Sequence, residues 1–472
     1  MSKMTIKPEL PGGFRDYLPQ DMIPRQKMLD TIRSVFERFG FDPLQTPTIE
    51  RLDVLTGNNE FFNMHLFRTG VVRGLNEPHG SQFNETAVRF DLTVPLSRVI
   101  AANSNLPKPF KRYQVGTVCR GEKPQAGRFR EFTQFDADIV GSSSILADTE
   151  IILIMCESMK ALGFENSTTR FNSRKILNGL AQLVGFDSPD ERTKEVFRIL
   201  DKLEKIGWNE VKEKLQRQPK NSSETDAPNL NNASVDMVKE FLNIKGTSNE
   251  TLAQLRELFK SSPLGSDGVD ELSEIVENLM TMDIPEGRWK LDLSIARGLD
   301  YYTGPVFETV LNDAPEIGSV FGGGRYDGLV SRFQEDANIP ATGASLGVDR
   351  LFAAMKKLDK VHDQKTTVEV LVANFEPKAQ EESIKLAATL RRVGINTELY
   401  YGSDTSLTGQ LRHAVKKEVP FLAFIGEEEQ KLGKVAFKNL NTTEQKELNS
   451  SDAYQEISSL VKALRKKQVT GA

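Results

Sequence analysis

Residues 113–141 read YQVGTVCRGEKPQAGRFREFTQFDADIVG, and this segment constrains the fold more than any other. Pro124 and Gly127 mark a loop, and strand-like sequence rich in charged and aromatic residues stands on either side of it. Around the loop Arg120, Arg128 and Arg130 alternate with Glu122, Glu131, Asp136 and Asp138. By composition alone this is a solvated hairpin whose surface ion pairs contribute little each. Its order among other segments gives it further meaning.

Ahead of it, Met28, Ile32, Val35, Phe36 and Phe39 fall at helical spacing and Gly40 follows as a stop. FDPLQTPTIER then breaks the helix with two prolines and reads as extended. AVRFD alternates like a strand, and Pro95 in LTVPLSRVIAA suits the first turn of a new helix. After the hairpin an apolar-faced helix is predicted from about residue 148 to 163, with Cys156 in its core face. From about residue 187 to 285, charged helical segments alternate with QPKNSSETDAPNLNNAS, whose composition favours a mobile loop. Together they read as an inserted helical subdomain. Strand-like sequence resumes at Trp289. After DKVHDQKTT, the strand-like pieces VEVLVA, NTELYY, FLAFIG and KVAFKNL alternate with helices, the pattern of a separate α/β domain. The expected division is residues 1–364 and 365–472.

At 472 residues the chain is too long for one ordinary core and is expected to hold two or three domains. Its formal net charge of −5 provides no global basic field, so any polyanion must be met by local patches. Cys119 and Cys156 cannot build a disulfide framework, which points to a reducing compartment. His65, His79, His362 and His413 give no metal-ligand spacing with those cysteines, and no zinc site is expected. Without an apolar run of about 18 residues or a charged-then-apolar leader, the chain reads as soluble and unexported, with no membrane partner.

Residues 297–310, RGLDYYTGPVFETV, set one arginine, one aspartate and two adjacent tyrosines among apolar residues suited to a strand. The segment contains no histidine, cysteine or serine, so an active site built here needs a substrate that brings its own nucleophile. Two apparent nucleotide loops fail on spacing. GEEEQKLGKV has glycines too far apart for a phosphate loop, and Val435 stands where a hydroxyl would hold Mg²⁺. FGGGRYDG lacks the GxGxxG spacing and a surrounding strand-to-helix unit. Any ATP site must use another scaffold.

Arg-x-Glu, a loop, Arg and then strand residues, followed downstream by RGLDYYTG, GGGRYDGL and GASLGVDRL, resemble the class II aminoacyl-tRNA synthetases. Within that class the chain resembles the histidyl-tRNA synthetases. GFRDYLP near the start, a proline-bearing first motif around Pro47, and LRHAVKKEVPFLAFIGEEE in the last domain extend the likeness over nearly the whole chain. The resemblance implies an α+β fold: a class II synthetase antiparallel sheet flanked by helices, a helical insertion, and a C-terminal α/β anticodon-binding domain. It also implies a cytoplasmic homodimer whose interface includes the first motif. In the implied reaction the carboxylate of L-histidine attacks the α-phosphate of ATP, supplied with Mg²⁺, giving histidyl-adenylate and pyrophosphate. A terminal hydroxyl of tRNA(His) then takes the histidyl group. No prosthetic group and no metal held by the protein alone are implied. A free α-carboxyl with a pKa of about 3.5 is already ionised near neutrality, so it needs no base. What the step requires is positioning and electrostatic stabilisation, for which arginine's planar, permanently charged fork is suited.

By position in the matching motifs, Arg120 is expected on the α-phosphate, Glu122 near the adenine amino group, and Arg128 and Arg350 toward the outer phosphates. Arg297 is expected across the α-phosphate from Arg120, as a catalytic arginine. Asp138 and Tyr302 match the positions that hold the imidazole, with Tyr301 beside them. Asp91, Thr93 and Gln134 match those that hold the amino group. Asp91 and Asp138 occur where some family members carry glutamate, so here the same charge sits on a shorter arm with a different reach. Tyr326 supports the same pocket, and the nearby glycines permit close backbone approach. For tRNA, the resemblance points to Lys123 and Gln125 in the second-motif loop, and to Arg412, His413, Lys416 and Lys417 on one predicted helix. Two other readings compete with a synthetase: a catalytically inactive synthetase-like regulatory subunit of ATP phosphoribosyltransferase, and a tRNA-sensing module of the kind attached to stress kinases. The first typically lacks the anticodon domain, and the second needs a kinase signature that this sequence does not contain.

Overall fold

The apolar spacing of Met28, Ile32, Val35 and Phe36 builds one face of a helix, α1 (Pro19–Arg38), which begins ahead of that periodicity. Gly40 then turns the chain with φ at 75°, a left-handed conformation that suits glycine. The computed structural model describes residues 6–57, 66–70, 85–123, 129–186, 191–200, 202–219, 226–295, 302–334, 338–361, 363–375 and 377–470. The chain forms two compact units, Met1–Arg15 with Met28–Lys360, and Asp16–Lys27 with Val361–Ala472. Among the described residues no helix is long and apolar enough to cross a membrane.

The proline-bearing segment is extended as expected. It contributes β1 (Asp42–Pro43) and β2 (Ile49–Arg51), followed by a short helix α2 (Leu52–Thr56). A small antiparallel sheet joins β2 to β4 (Thr86–Val88) and β4 to β3 (Arg68–Thr69). Pro95 falls in the first turn of α3 (Thr93–Ala102). The hairpin read from the sequence is β5 (Phe110–Cys119) and β6 (Glu131–Val140), each fully paired with the other. The loop residues 124–128 lie outside the described residues.

The large sheet has eight strands in the order β1-β5-β6-β11-β10-β9-β7-β8, completed by β7 (Ser167–Ser173), β8 (Trp289–Leu291), β9 (Pro305–Leu311), β10 (Phe321–Arg325) and β11 (Ala341–Gly347). Its six inner strands are antiparallel, and the edge strands β1 and β8 pair parallel to their neighbours. Because side chains alternate along a strand, register decides which residues share a face. Arg112, Gln114 and Gly116 on β5 stand opposite Asp138, Asp136 and Gln134 on β6. These in turn face Gly343, Ser345 and Gly347 on β11. The other face is aromatic: Phe36 from α1 meets Phe135 edge-on at 4.9 Å, and its ring lies 6.2 to 6.5 Å from Phe41, Tyr113 and Phe321.

The helix predicted after the hairpin is α4 (Ile145–Ala161), starting three residues before the expected position because Ser144 caps it by accepting from the Leu146 N–H. Cys156 is buried on it. Beyond β7 come α5 (Arg174–Leu183) and a run of helices: α6 (Glu191–Leu200), α7 (Leu203–Leu215), α8 (Asn232–Asn243), α9 (Ser248–Leu258) and α10 (Pro263–Thr281). The expected mobile loop is in part packed structure. Ala227 and Leu230 are buried, the Leu230 N–H donates to the Leu215 carbonyl at 2.9 Å, and Asn231 caps α8. The apolar residues inside that polar run find the core, which composition averaged over the window had hidden. Residues 220–225 lie outside the described set.

The large sheet is followed by α11 (Val348–Lys357), which ends the first unit's regular structure. The second unit carries a five-stranded sheet in the order β13-β12-β14-β15-β16, from β12 (Val370–Val372), β13 (Thr397–Leu399), β14 (Phe421–Phe424), β15 (Lys434–Asn439) and β16 (Gln445–Asn449). Three parallel strands form one side and two antiparallel strands the other. Its helices are α12 (Pro377–Arg392), α13 (Leu407–Lys417), α14 (Glu427–Leu432) and α15 (Ala453–Thr470). The rejected phosphate-loop sequence is α14 and the strand after it. The polar strand β16 carried no apolar alternation by which the sequence could mark it.

Phe36 is the aromatic anchor behind the large sheet. Phe36→Ala is expected to destabilise the first unit by about 3 to 5 kcal/mol through the cavity it leaves. Urea unfolding followed by tryptophan fluorescence reads this, and an unshifted midpoint would deny Phe36 that role.

Candidate active site

Two adjoining cavities open on the polar face of the large sheet. The first, of about 260 Å³, has Asp91, Thr93, Arg120, Gln134, Asp138 and Tyr302 on its walls. The second, of about 340 Å³, reaches Phe132, Asp349 and Arg350. Arg120, Glu122, Gln134, Gly322 and Ser345 line both. Arg120 thus stands at the junction. Its Nε donates to the Phe90 carbonyl at 3.2 Å and its guanidinium lies 5.1 Å from the Phe132 ring centre. No hydrogen bond from its outer nitrogens to the described residues is made, leaving them for a bound anion.

The first cavity rests on charges that are almost fully buried. Arg112 is 0% exposed and Asp138 3%. Arg112 Nη2 lies 2.8 Å from Asp138 Oδ2, and Tyr326 Oη donates to Asp138 Oδ1 at 2.5 Å. Burial raises the Asp138 carboxyl above its ordinary range, while Arg112 and Tyr326 oppose the rise. Beside it Asp136, 2% exposed, is pushed up to about 7, mainly by burial. Asp91 is likewise pushed up to about 6 by burial, against the pull of the Val94 N–H and of Arg120, Arg112 and Arg332. Its Oδ1 accepts from the Val94 N–H at 3.2 Å, which sets it at the start of α3 next to Thr93.

Glycines clear the floor of this cavity. A Cβ on Gly343 would stand 2.0 Å from Asp138 Oδ1, and one on Gly324 would stand 3.0 Å from Tyr302 Cδ1. Only a residue without a side chain leaves the Asp138 carboxylate its place on the neighbouring strand. Gln134 donates from Nε2 to Ser345 Oγ at 2.7 Å, while its buried Oε1 accepts no hydrogen bond from the described residues. That oxygen is a ready acceptor for an ammonium group. The end of β10 is pinned by Arg325, which donates from Nε to Asp148 Oδ2 and from Nη1 and Nη2 to the Ser142 and Ser144 carbonyls, each at 3.0 Å. The adjacent Tyr326 is thereby held over Asp138.

Asp91, Thr93, Arg120, Glu122, Gln134, Asp138 and Tyr302 therefore come together around one space, and Arg350 joins the second. Arg350 Nη1 donates to the Ser319 carbonyl at 2.5 Å. Lys123 is exposed beside Glu122. Arg297, Tyr301, Arg128 and Gln125 lie outside the described residues. On α13, His413 and Lys417 are engaged by Glu398, whereas Arg412 and Lys416 are exposed. The sequence reading gave no role in the pocket to Arg112 or Asp136. Asp136 had a usable signal, because it stands between Gln134 and Asp138 at the strand period of two. Arg112 had none, since no local pattern fixes the register of β5 on β6.

The family profile described as Histidyl-tRNA synthetase matches residues 13–351, and one described as Anticodon binding domain matches residues 369–460. The histidine–tRNA ligase of Clostridium tetani is 40% identical over 462 residues, covering 96% of this chain and 98% of that protein. The crystal structure of histidyl-tRNA synthetase from Nostoc sp. PCC 7120 superposes with a TM-score of 0.81 at 32% identity, over 96% of this chain and 100% of that one. A Bacillus halodurans structure, described as an ATP phosphoribosyltransferase regulatory subunit/histidyl-tRNA synthetase, shares the fold at 23% identity and a TM-score of 0.70, over 87% of this chain and 97% of its own. With its first unit matched almost throughout and the relatives covered nearly end to end, this chain belongs to the histidyl-tRNA synthetase family.

Proposed function

We propose that the chain is a histidine–tRNA ligase, which makes histidyl-adenylate from L-histidine and ATP and passes the histidyl group to tRNA(His). The observation that carries this reading is the pair of cavities meeting at Arg120. Histidine in the first would place its ammonium among Asp91, Thr93 and Gln134 Oε1, and its imidazole against Asp138 and Tyr302. ATP in the second would set its adenine toward Glu122 and its outer phosphates toward Arg350 and Arg128. The two anions then meet at the Arg120 guanidinium, with Arg297 and Tyr301 completing the site as the family motifs imply.

In the first step a carboxylate oxygen of histidine forms a bond to the α-phosphorus, and the bond from that phosphorus to the bridging oxygen of pyrophosphate breaks. No proton has to move. The chain's own share is to hold both reactants in line and to offer fixed positive charge where it develops on the phosphorus oxygens. Mg²⁺ would enter with the triphosphate and neutralise part of its charge. Such ions keep several waters and bind largely through substrate phosphates.

The inactive regulatory reading is less well supported, because residues 369–460 match an anticodon-binding domain and Arg120 stands at the junction of the cavities. We place anticodon recognition in residues 365–472 and catalysis in residues 1–364, and propose a cytoplasmic homodimer formed partly through the segment around Pro47. Light scattering should then give about twice the chain mass of 52.8 kDa, and a monomer active at the same concentration would exclude the dimer.

Amino-acid-dependent ATP–pyrophosphate exchange across all twenty amino acids tests the function. Exchange with histidine alone is expected. Arg120→Ala and Arg297→Ala should each slow it by on the order of a hundredfold or more, as for other lost transition-state donors, with much smaller changes in histidine affinity. Near-normal exchange in either variant would remove that arginine from the mechanism.

For tRNA, Arg412→Ala combined with Lys416→Ala should raise the KM for tRNA(His) and leave histidine-dependent exchange unchanged, since both side chains are exposed on α13 within the second unit. Unaltered charging kinetics would show that this face of α13 does not meet the anticodon.

A further inference from the structure

Two buried charged residues in the histidine pocket have no role in the mechanism above. Asp136 stands between Gln134 and Asp138 on β6, lines the first cavity, and its Oδ1 makes no hydrogen bond to the described residues. Arg112, on the neighbouring strand, is directed to Asp138. One guanidinium therefore faces two carboxylates: its Nη2 lies within ion-pair distance of Asp138, while its buried Nε and Nη1 make no hydrogen bond to the described residues.

We propose that Arg112 and Asp136 are positioning residues that tie histidine binding to a proton: Asp136 holds a proton in the empty pocket and releases it to solvent when the substrate's ammonium group enters. The proposal rests on the histidine reading given above. On binding, the O–H bond of the Asp136 carboxyl breaks, and the electron pair stays on the oxygen, so no further reactant is needed.

The charges around Asp136 support this balance. Arg112 comes from β5, Asp138 from its own strand, Asp91 from ahead of α3, and Arg89 from the end of the small sheet. Arg120, Glu122, Tyr326 and Arg332 stand on the wall of the same cavity. Arg89 donates from Nε to the Thr117 carbonyl and from Nη1 to the Thr46 and Pro47 carbonyls, so it acts on Asp136 through its charge and makes no ion pair with it. Arg120 is turned to the junction of the cavities. Among the described residues the ion pair made to these three carboxylates, Asp91, Asp136 and Asp138, is that of Arg112 with Asp138, which leaves Asp136 near cations but paired with none, in a site where like charges disfavour joint ionisation. Burial pushes Asp136 up to about 7 even with Arg112 pulling it down, and the charge on Asp138 adds to the rise. A cation arriving among these groups favours the ionised form. Arg112 meanwhile keeps Asp138 as the acceptor for the ring, and Asp91, pushed up only to about 6, is mostly ionised near pH 7 before histidine enters, so Asp136 is the group whose proton count changes most.

Calorimetry of the full-length protein with L-histidine near pH 7, in two buffers of unlike ionisation enthalpy, counts the proton. Wild type should release measurably more of a proton per histidine bound than Asp136→Asn, the difference being the share of a proton that the carboxyl holds in the empty pocket at that pH. The substrate's own ring gives the same background in both proteins. Arg112→Met should raise the histidine KM by about tenfold or more with a smaller change in kcat, and Arg112→Lys should restore part of it. Equal proton counts in wild type and Asp136→Asn would overturn the proposal and leave the histidine pocket standing. Failure of the wild type to bind histidine would remove the pocket itself. An infrared difference spectrum of wild type, with and without histidine, needs no variant. It should show the loss of a protonated-carboxyl band, and its absence would equally overturn the proposal. An unchanged KM in Arg112→Met would take Arg112 out of the unit.

Discussion

The buried pair of Arg112 with Asp138 is the interaction on which the site depends. Removing a guanidinium and a carboxylate from water costs several kcal/mol for each ion, which their attraction offsets only in good geometry with further hydrogen bonds. Here those bonds come from Tyr326 to Asp138 and from Arg112 to the Leu92 carbonyl, 3.2 Å away. The pair joins β5 to β6 beneath the cavity, and through Leu92 it touches the segment that carries Asp91 and Thr93. Such a pair is a poor source of stability, but it holds one carboxylate in one orientation. A ring to be recognised through its nitrogens needs such an acceptor.

The rest of the first unit makes this arrangement possible. The sheet is asymmetric: aromatic side chains on one face pack around Phe36, while the other face carries Arg112, Gln114, Gln134, Asp136 and Asp138. Polar groups at this density would normally demand water. Glycines on β10 and β11 give their strands room to approach without side chains of their own, so the Asp138 carboxylate and the Tyr302 ring lie where Cβ atoms would otherwise stand. Arg89 fastens the extended Thr46–Pro47 stretch to β5, which fixes the approach of the chain to Asp91. The two cavities are thus built on rigid sheet positions. Substrate geometry for in-line attack at phosphorus calls for such rigidity.

Much of this was legible from local signals. The hairpin around Pro124 and Gly127, the helix bearing Phe36, the helix whose first turn holds Pro95 and the strands that alternate with helices in the second unit all follow from periodicity and turn chemistry. The family resemblance points to Tyr326 and the glycines beside it as supports of the pocket; Tyr326 donates to Asp138 and a Cβ on Gly324 would stand 3.0 Å from Tyr302 Cδ1, whereas the close approach at Gly343 falls in a motif to which the sequence reading gives no such role. Other features were hidden. Ala227 and Leu230 pack although their window is polar, because burial is decided residue by residue in three dimensions. The strand β16 is too polar to show an alternation, and pairing with β15 alone defines it.

The sequence by itself determined most of the order of elements and the absence of histidine, cysteine and serine from residues 297–310, since these rest on neighbours close along the chain; Asp91, Arg120, Gln134 and Asp138 entered through the resemblance of their motifs to a family. Only the tertiary structure decided that Arg112 stands opposite Asp138, that Asp136 shares their face with an unpartnered oxygen, and that Arg120 separates two cavities. The physical reason is register. A shift of one residue between β5 and β6 would turn Arg112 to the aromatic face, and no local pattern sets that register. It is chosen by the packing of both faces together.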